Sequence, residues 1–277
     1  MGDGFPYVNF DCFGPGVVAA FCGARLDNSS GQVWFFPQKK QEIGDIHVKY
    51  DPENIWVKRI KDIYRAGLDR WNGSVIMGMP DLGGVLDVAA ALCDSEDLLF
   101  ACIEEPEEVV RLAKEIQTAW YAAYNDFAGV LKPQGGFSDW SHLYSATPSY
   151  TIQCDFSYMI GPDMYQQFTM DTLREDVKRL DHTIYHLDGI GELKHLDLLL
   201  TLKDLNAVQW VYGAGQPGPI HWLDVYRKIL DAGKQIMILG TAEEFLEVVD
   251  VLHGSPYVIQ TFDPDQRELM EKVLKAR

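Results

Sequence analysis

Thr183-Ile184-Tyr185-His186-Leu187-Asp188-Gly189 is the stretch on which the reading of this chain turns. Residues with strand preference lead into a histidine, a carboxylate and a glycine, which predicts a short buried strand ending in a turn. Strand side chains alternate between faces, so His186 and Asp188 share one face while Tyr185 and Leu187 take the other. An imidazole and a carboxylate two residues apart at the C-terminal end of a strand can share a proton or hold a metal. In parallel α/β folds, active sites are built at that end. A purely structural role would make the same pair a buried histidine satisfied by a carbonyl and an aspartate capping the next helix.

Downstream the rhythm is regular. Strand-like runs begin near Thr183, Ala207, Gln235 and Tyr257, each followed by a helical stretch, as in successive β/α units of a barrel or doubly wound sheet. Thr241-Ala242-Glu243-Glu244 has the pattern of a capping box, and Asp263-Pro264 that of a capped helix start. The run from Ala207 carries Gln209 and Trp210 ahead of a glycine-rich loop, where they could line a pocket; Trp210 serves equally well as core. Gly213-x-Gly215 is followed by Pro217-Gly218-Pro219, which cannot open a helix as a dinucleotide-binding loop does.

The earlier part of the chain is less periodic. Residues 5–11 and 33–36 alternate like strands, the second stopped by Pro37. Gly14-Pro15-Gly16 opens a short apolar helix reaching Gly23. Asp51-Pro52 predicts a helix start, with Trp56, Ile60, Ile63, Tyr64, Gly67 and Trp71 as its core face. Residues 74–79 read as a strand, which places Asp81 at a strand end comparable to that of Asp188; a helix cap is the structural alternative. Pro106 opens the longest helix, whose apolar stripe is packing and which fades at Gly129. Beyond it lies a stretch rich in aromatic and polar side chains. It includes a long loop holding Trp140 and Tyr144, and then Ile152-Gln153-Cys154-Asp155, where Asp155 ends a strand and Cys154 faces the core. Trp140, Tyr144, Gln153, Gln209 and Trp210 are the candidate substrate-binding side chains, and His186, Asp188, Asp81 and Asp155 the candidate catalytic ones.

With 277 residues, the chain can bury one large core, and the absence of a linker favours a single domain over residues 1–277. Its 24 Lys and Arg against 41 Asp and Glu give a formal net charge of −17. Nucleic acid and anionic membrane surfaces would be repelled. The five cysteines form no CxxC pair and no disulfide framework, which with the absence of a leader or a membrane-length apolar run points to the cytoplasm. GxSxG, Walker A and HExxH motifs are absent.

Three stretches carry a resemblance: Gly14-Pro15-Gly16 with the Ala-rich helix after it, residues 98–110 with Pro106-Glu107-Glu108-Val109, and Tyr185-His186-Leu187-Asp188-Gly189. In this order, together with Gly161-Pro162 and the later strand–helix rhythm, they make the chain resemble the uroporphyrinogen decarboxylase-like superfamily. The resemblance covers most of the chain and implies a (β/α)₈ TIM-type barrel, here lacking part of its N-terminal segment. It also implies either the haem-pathway decarboxylase activity or that of zinc-dependent methyltransferases working with methylated corrinoid proteins. The decarboxylases hold an acidic tetrapyrrole with an arginine-rich opening loop, whereas Arg25 is the only Arg or Lys before Lys39 here. The methyltransferases bind zinc through His-x-Cys and a second Cys near the last strand. Here the pair is His186-x-Asp188, and the last strand, Tyr257-Val258-Ile259-Gln260-Thr261-Phe262, has no Cys.

A His/Asp pair is a harder ligand set than His/Cys/Cys and less suited to activating a thiol on zinc. If zinc or another divalent metal binds, His186 and Asp188 are its expected ligands, completed by Asp81 or Asp155; without metal the pair would act as acid and base. The expected function is a small-molecule enzyme of methyltransferase type with an altered metal site. The alternatives are a metal-independent lyase, or a non-catalytic barrel that binds a small ligand or a corrinoid protein. A homodimer is among the expected assemblies.

Overall fold

A computed structural model describes residues 4–9, 11–252, 254–261 and 264–276. Contacts divide the described residues into two compact units, one over residues 5–182 and the other from Thr183 onward.

In the first unit β1 (Tyr7–Val8) pairs in parallel with β4 (Ile76–Met77), while β2 (Arg25–Asp27) and β3 (Trp34–Phe36) form an antiparallel ribbon. The strands expected over residues 5–11 and 74–79 thus shrink to two residues each. Beyond Met77, Gly78 and Met79 spend their N–H groups on Val8 and Ser138 carbonyls. Between these strands lie α1 (Val18–Phe21) and α2 (Ile55–Trp71); α3 (Val85–Cys93), α4 (Ser95–Glu104) and α5 (Pro106–Leu131) follow.

Helix α2 starts later than the sequence suggests. Asp51 accepts from Glu53 N–H in a turn, and Asn54 caps the helix by accepting from Trp56 N–H at 2.9 Å. Its buried face is Val57, Ile60, Tyr64 and Gly67, so Ile63 at 39% exposure falls outside the stripe expected for it. Helix α5 starts at Pro106 as expected but runs through Gly129 to Leu131, because Phe127 and Leu131 continue its buried stripe one turn further. Phe127 packs edge-on against Phe21 and Tyr64, tying α5 to α1 and α2.

Strand β5 (Ser149–Gln153) then leads into a 3₁₀ turn, Asp155–Met159, and helices α6 (Pro162–Phe168) and α7 (Met170–Arg179). Asp155 therefore opens a 3₁₀ turn and does not end a strand, because the Asp87 carboxylate takes the N–H groups of Asp155 and Phe156.

The second unit follows the expected rhythm. Strands β6 (His182–Asp188), β7 (Ala207–Val211), β8 (Gln235–Leu239) and β9 (Tyr257–Gln260) form consecutive parallel pairs. Helices α8 (Leu196–Leu200), α9 (Leu223–Asp231), α10 (Ala242–Val248) and α11 (Arg267–Ala276) alternate with them. Thr241 and Glu244 make the predicted capping box on α10. The cap assigned to Asp263 lies outside the described residues. Buried Lys234 donates to the Leu202 and Lys203 carbonyls at 2.7 Å each, which fixes the loop entering β8. The fold is α/β with parallel strand pairs, but among the described residues the paired strands do not close into the expected eight-stranded ring.

Candidate functional site

Strand β6 alternates as predicted: Tyr185 and Leu187 are fully buried, while His186 and Asp188 on the other face keep partial exposure. Parallel register sets His186 opposite Gln209, Leu187 opposite Trp210 and Asp188 opposite Val211. Gln209, 2% exposed, donates through Nε2 to the Met237 sulfur at 3.3 Å, which turns its Oε1 toward His186 Nδ1. An amide oxygen only accepts, so Nδ1 carries a proton and Nε2 is the nitrogen left to exchange one. That Nε2 faces the Asp188 carboxylate, with Oδ2 at 3.9 Å; the imidazole side chain is 14% exposed and the carboxylate 46%.

The strand end is built for this. Asp188 N–H donates to Glu192, and Gly189, at φ +82°, turns the chain while its N–H reaches the Val211 carbonyl at 2.7 Å. A positive φ suits glycine because it has no Cβ to clash. Trp210 is buried to 1% and packs edge-on against Trp222 at 5.3 Å, and Tyr212 stacks on the same ring. Trp210 therefore packs beneath the strand end as core, and Tyr212 and Trp222 are the partly exposed aromatics there.

In the first unit three aspartates converge after β4. Asp81 accepts from Gly83 N–H at 2.7 Å. Asp87, in the first turn of α3, accepts from Gly84, Asp155 and Phe156 N–H groups at 3.2, 3.1 and 2.7 Å. Burial pushes the Asp81 carboxyl up to about 8, and the neighbouring Asp155 and Asp87 charges add to the effect. Asp87 is raised for the same reasons, burial first and Asp155 next. Like charges held close together disfavour simultaneous ionisation. Asp87 escaped the sequence reading, although an aspartate in the first turn of an otherwise apolar helix after Gly83-Gly84 was a signal for it.

The remaining candidates sit apart from these aspartates in their roles. Trp140 is half-buried, and Tyr144 is 49% exposed, its ring against Phe5 and its hydroxyl on the Gly135 carbonyl. Their loop is pinned by paired Phe137 and Ser145, and by Asp139, which gathers Ser141 and Thr151 N–H groups. Gln153 is buried at 7% exposure.

A catalytic zinc needs three protein donors. His186 Nε2 and Asp188 supply two of suitable type, and among the described residues no three His, Cys, Asp or Glu side chains converge as a metal site requires. No helix there is long and apolar enough to cross a membrane.

No family model matches the chain, and no curated protein matches it. Among solved structures it is similar to a methyltransferase from Methanosarcina mazei, with 12% identity and a TM-score of 0.66 over 98% of this chain and 78% of that one. At this identity the likeness concerns the fold.

Proposed function

We propose that residues 1–277 constitute a divergent enzyme of the uroporphyrinogen decarboxylase-like superfamily that transfers a methyl group to a small molecule, with a corrinoid protein or corrinoid as the methyl source. The observation that carries this reading is the His186–Gln209 contact, which holds a proton on Nδ1 and presents Nε2 of His186 beside Asp188 as the nitrogen that exchanges a proton. The pair stands at the positions where the resemblance places a zinc-binding His-x-Cys, and the fold likeness to a methyltransferase supports the same assignment. In this reading, Nε2 removes the proton from a thiol acceptor as its sulfur takes the methyl carbon and the methyl–donor bond breaks, its electron pair staying with the donor. Asp188 then stabilises the imidazolium.

The test uses methylcobalamin with a panel of small thiols, followed by the cobalamin spectrum, with metal content measured on the same preparations. Demethylation should fall roughly 100-fold or more in His186→Ala. Absence of turnover with every thiol, or equal turnover by the variant, overturns the reading.

A second reading rests on Asp81. A carboxyl raised to about 8 is protonated at neutral pH and could return a proton to a carbanion after loss of CO₂, as a metal-independent lyase requires. Decarboxylation that falls above pH 8 and is lost in Asp81→Asn would favour it over methyl transfer.

A further inference from the structure

Two surface helices of the first unit carry opposite charge. Helix α2 holds five Lys and Arg against two Asp, in a chain whose formal net charge is −17. Residues 94–108, which include α4 and the first turn of α5, hold seven Asp and Glu and no Lys or Arg. Both helices also turn apolar side chains to solvent. On α2, Ile55, Arg59, Ile63 and Ala66 follow one another at three or four residues and share a face turned away from buried Val57, Ile60 and Tyr64. With Lys58 and Asp62 they line a shallow surface hollow of ≈ 430 Å³. On α4, Glu96, Phe100, Ile103 and Glu104 share a face in the same way, while Leu98, Ala101 and Cys102 are buried on the other. Ile55, Phe100 and Ile103 are each more than half exposed.

Within the molecule these charges are only partly answered. Asp62 pairs with Arg65, Lys58 with Glu53 and Asp97 with Lys40. Arg59 lies over the Trp56 ring at 5.4 Å, and among the described residues neither Arg59 nor Glu104 belongs to an ion pair.

We propose that α2 of one molecule docks against α4 of a second copy of this chain, with Phe100 and Ile103 entering the hollow beside Ile55 and Ile63, and Arg59 facing Glu104. Apolar side chains rimmed by charge are the usual make-up of a protein contact surface. Packing α2 on α2 would set cations against cations, and α4 on α4 carboxylates against carboxylates. Only the head-to-tail pairing matches charge as well as apolar surface. Nucleic acid, another polyanion that a basic helix could attract, is repelled by the net charge of −17.

The test is sedimentation velocity of the full chain over a range of protein concentrations, at low and at high NaCl. The native chain should self-associate at low salt and less at high salt, because exposed charges are screened. Arg59→Glu and Glu104→Arg, both at exposed positions, should each weaken association roughly 10-fold or more by setting like charges together. The double variant restores the match and should regain association. Phe100→Ser, which leaves the charges alone, should weaken it by a similar factor. Circular dichroism and Tm should stay those of the native chain in the charge variants, as for surface substitutions. A native chain that is monomeric at every concentration, association indifferent to salt, or a double variant no better than the single ones overturns the proposal.

Discussion

At neutral pH Asp81 holds its proton, because desolvation and the charges of Asp155 and Asp87 oppose ionisation. Its folded pKa of about 8 lies above the ordinary aspartate value of 3.8, so across that interval the folded state binds more protons than the unfolded state. Stability from this group is complete below about pH 4 and is lost as pH rises through about 8. Urea midpoints measured from pH 5 to 9 should therefore fall with pH in the native chain and fall less in Asp81→Asn, whose amide oxygen still accepts from Gly83 N–H. A second expectation concerns Gln209, which acts on substrate only through His186. In Gln209→Leu the amide bridge between Met237 and His186 is gone, and the proton is no longer directed to Nδ1. ¹⁵N spectra of the imidazole should show Nδ1–H in the native chain and a mixed tautomer in the variant. Stability should fall by roughly 1–3 kcal/mol, as for a buried polar group losing its partner. An unchanged tautomer would remove Gln209 from its positioning role.

At the scale of elements, α2 separates two readings of one sequence. If Asn54 is the cap, Asn54→Ala should cost about 1 kcal/mol, and Pro52→Ala should stay within about 0.5 kcal/mol. On the same helix, Ile60→Ala should cost about 2–5 kcal/mol and Ile63→Ala much less, since Ile60 is fully buried and Ile63 is not. Denaturant unfolding of the four variants decides both points. What was legible here follows from physics. Strands β6 to β9 are short apolar runs separated by helices, and their starts at His182, Ala207, Gln235 and Tyr257 fall within one residue of expectation. The face of α2 was misjudged because Trp56 and Ile63 are apolar, and hydropathy does not tell a buried apolar side chain from an exposed one. Strands β1 and β4 are shorter than alternation suggests because, one residue past the Gly78–Val8 bond, Met79 N–H is diverted to the Ser138 carbonyl.

At the scale of the molecule, charge sets the limits. A porphyrinogen with eight carboxylates needs clustered cations, and this chain has a net charge of −17 and only Arg25 before Lys39. Each unpaired, desolvated carboxylate would cost about several kcal/mol. Incubation with uroporphyrinogen should therefore yield no decarboxylated product, and turnover of roughly 1 per second or faster would contradict this. The pairing of His186 with Asp188 could be read from strand periodicity, whereas the contact of Gln209 with His186 depends on the register of β6 against β7, and the bonds of Asp87 to Asp155 and Phe156 on a 3₁₀ turn far along the chain. The Asp81 carboxyl has a further consequence for how the protein migrates. The formal charge of −17 counts every carboxylate as ionised, but a group titrating near 8 is mostly neutral at pH 7. Between pH 7 and 9 the native protein should gain nearly one negative charge that Asp81→Asn does not, visible as a step in electrophoretic mobility between the two.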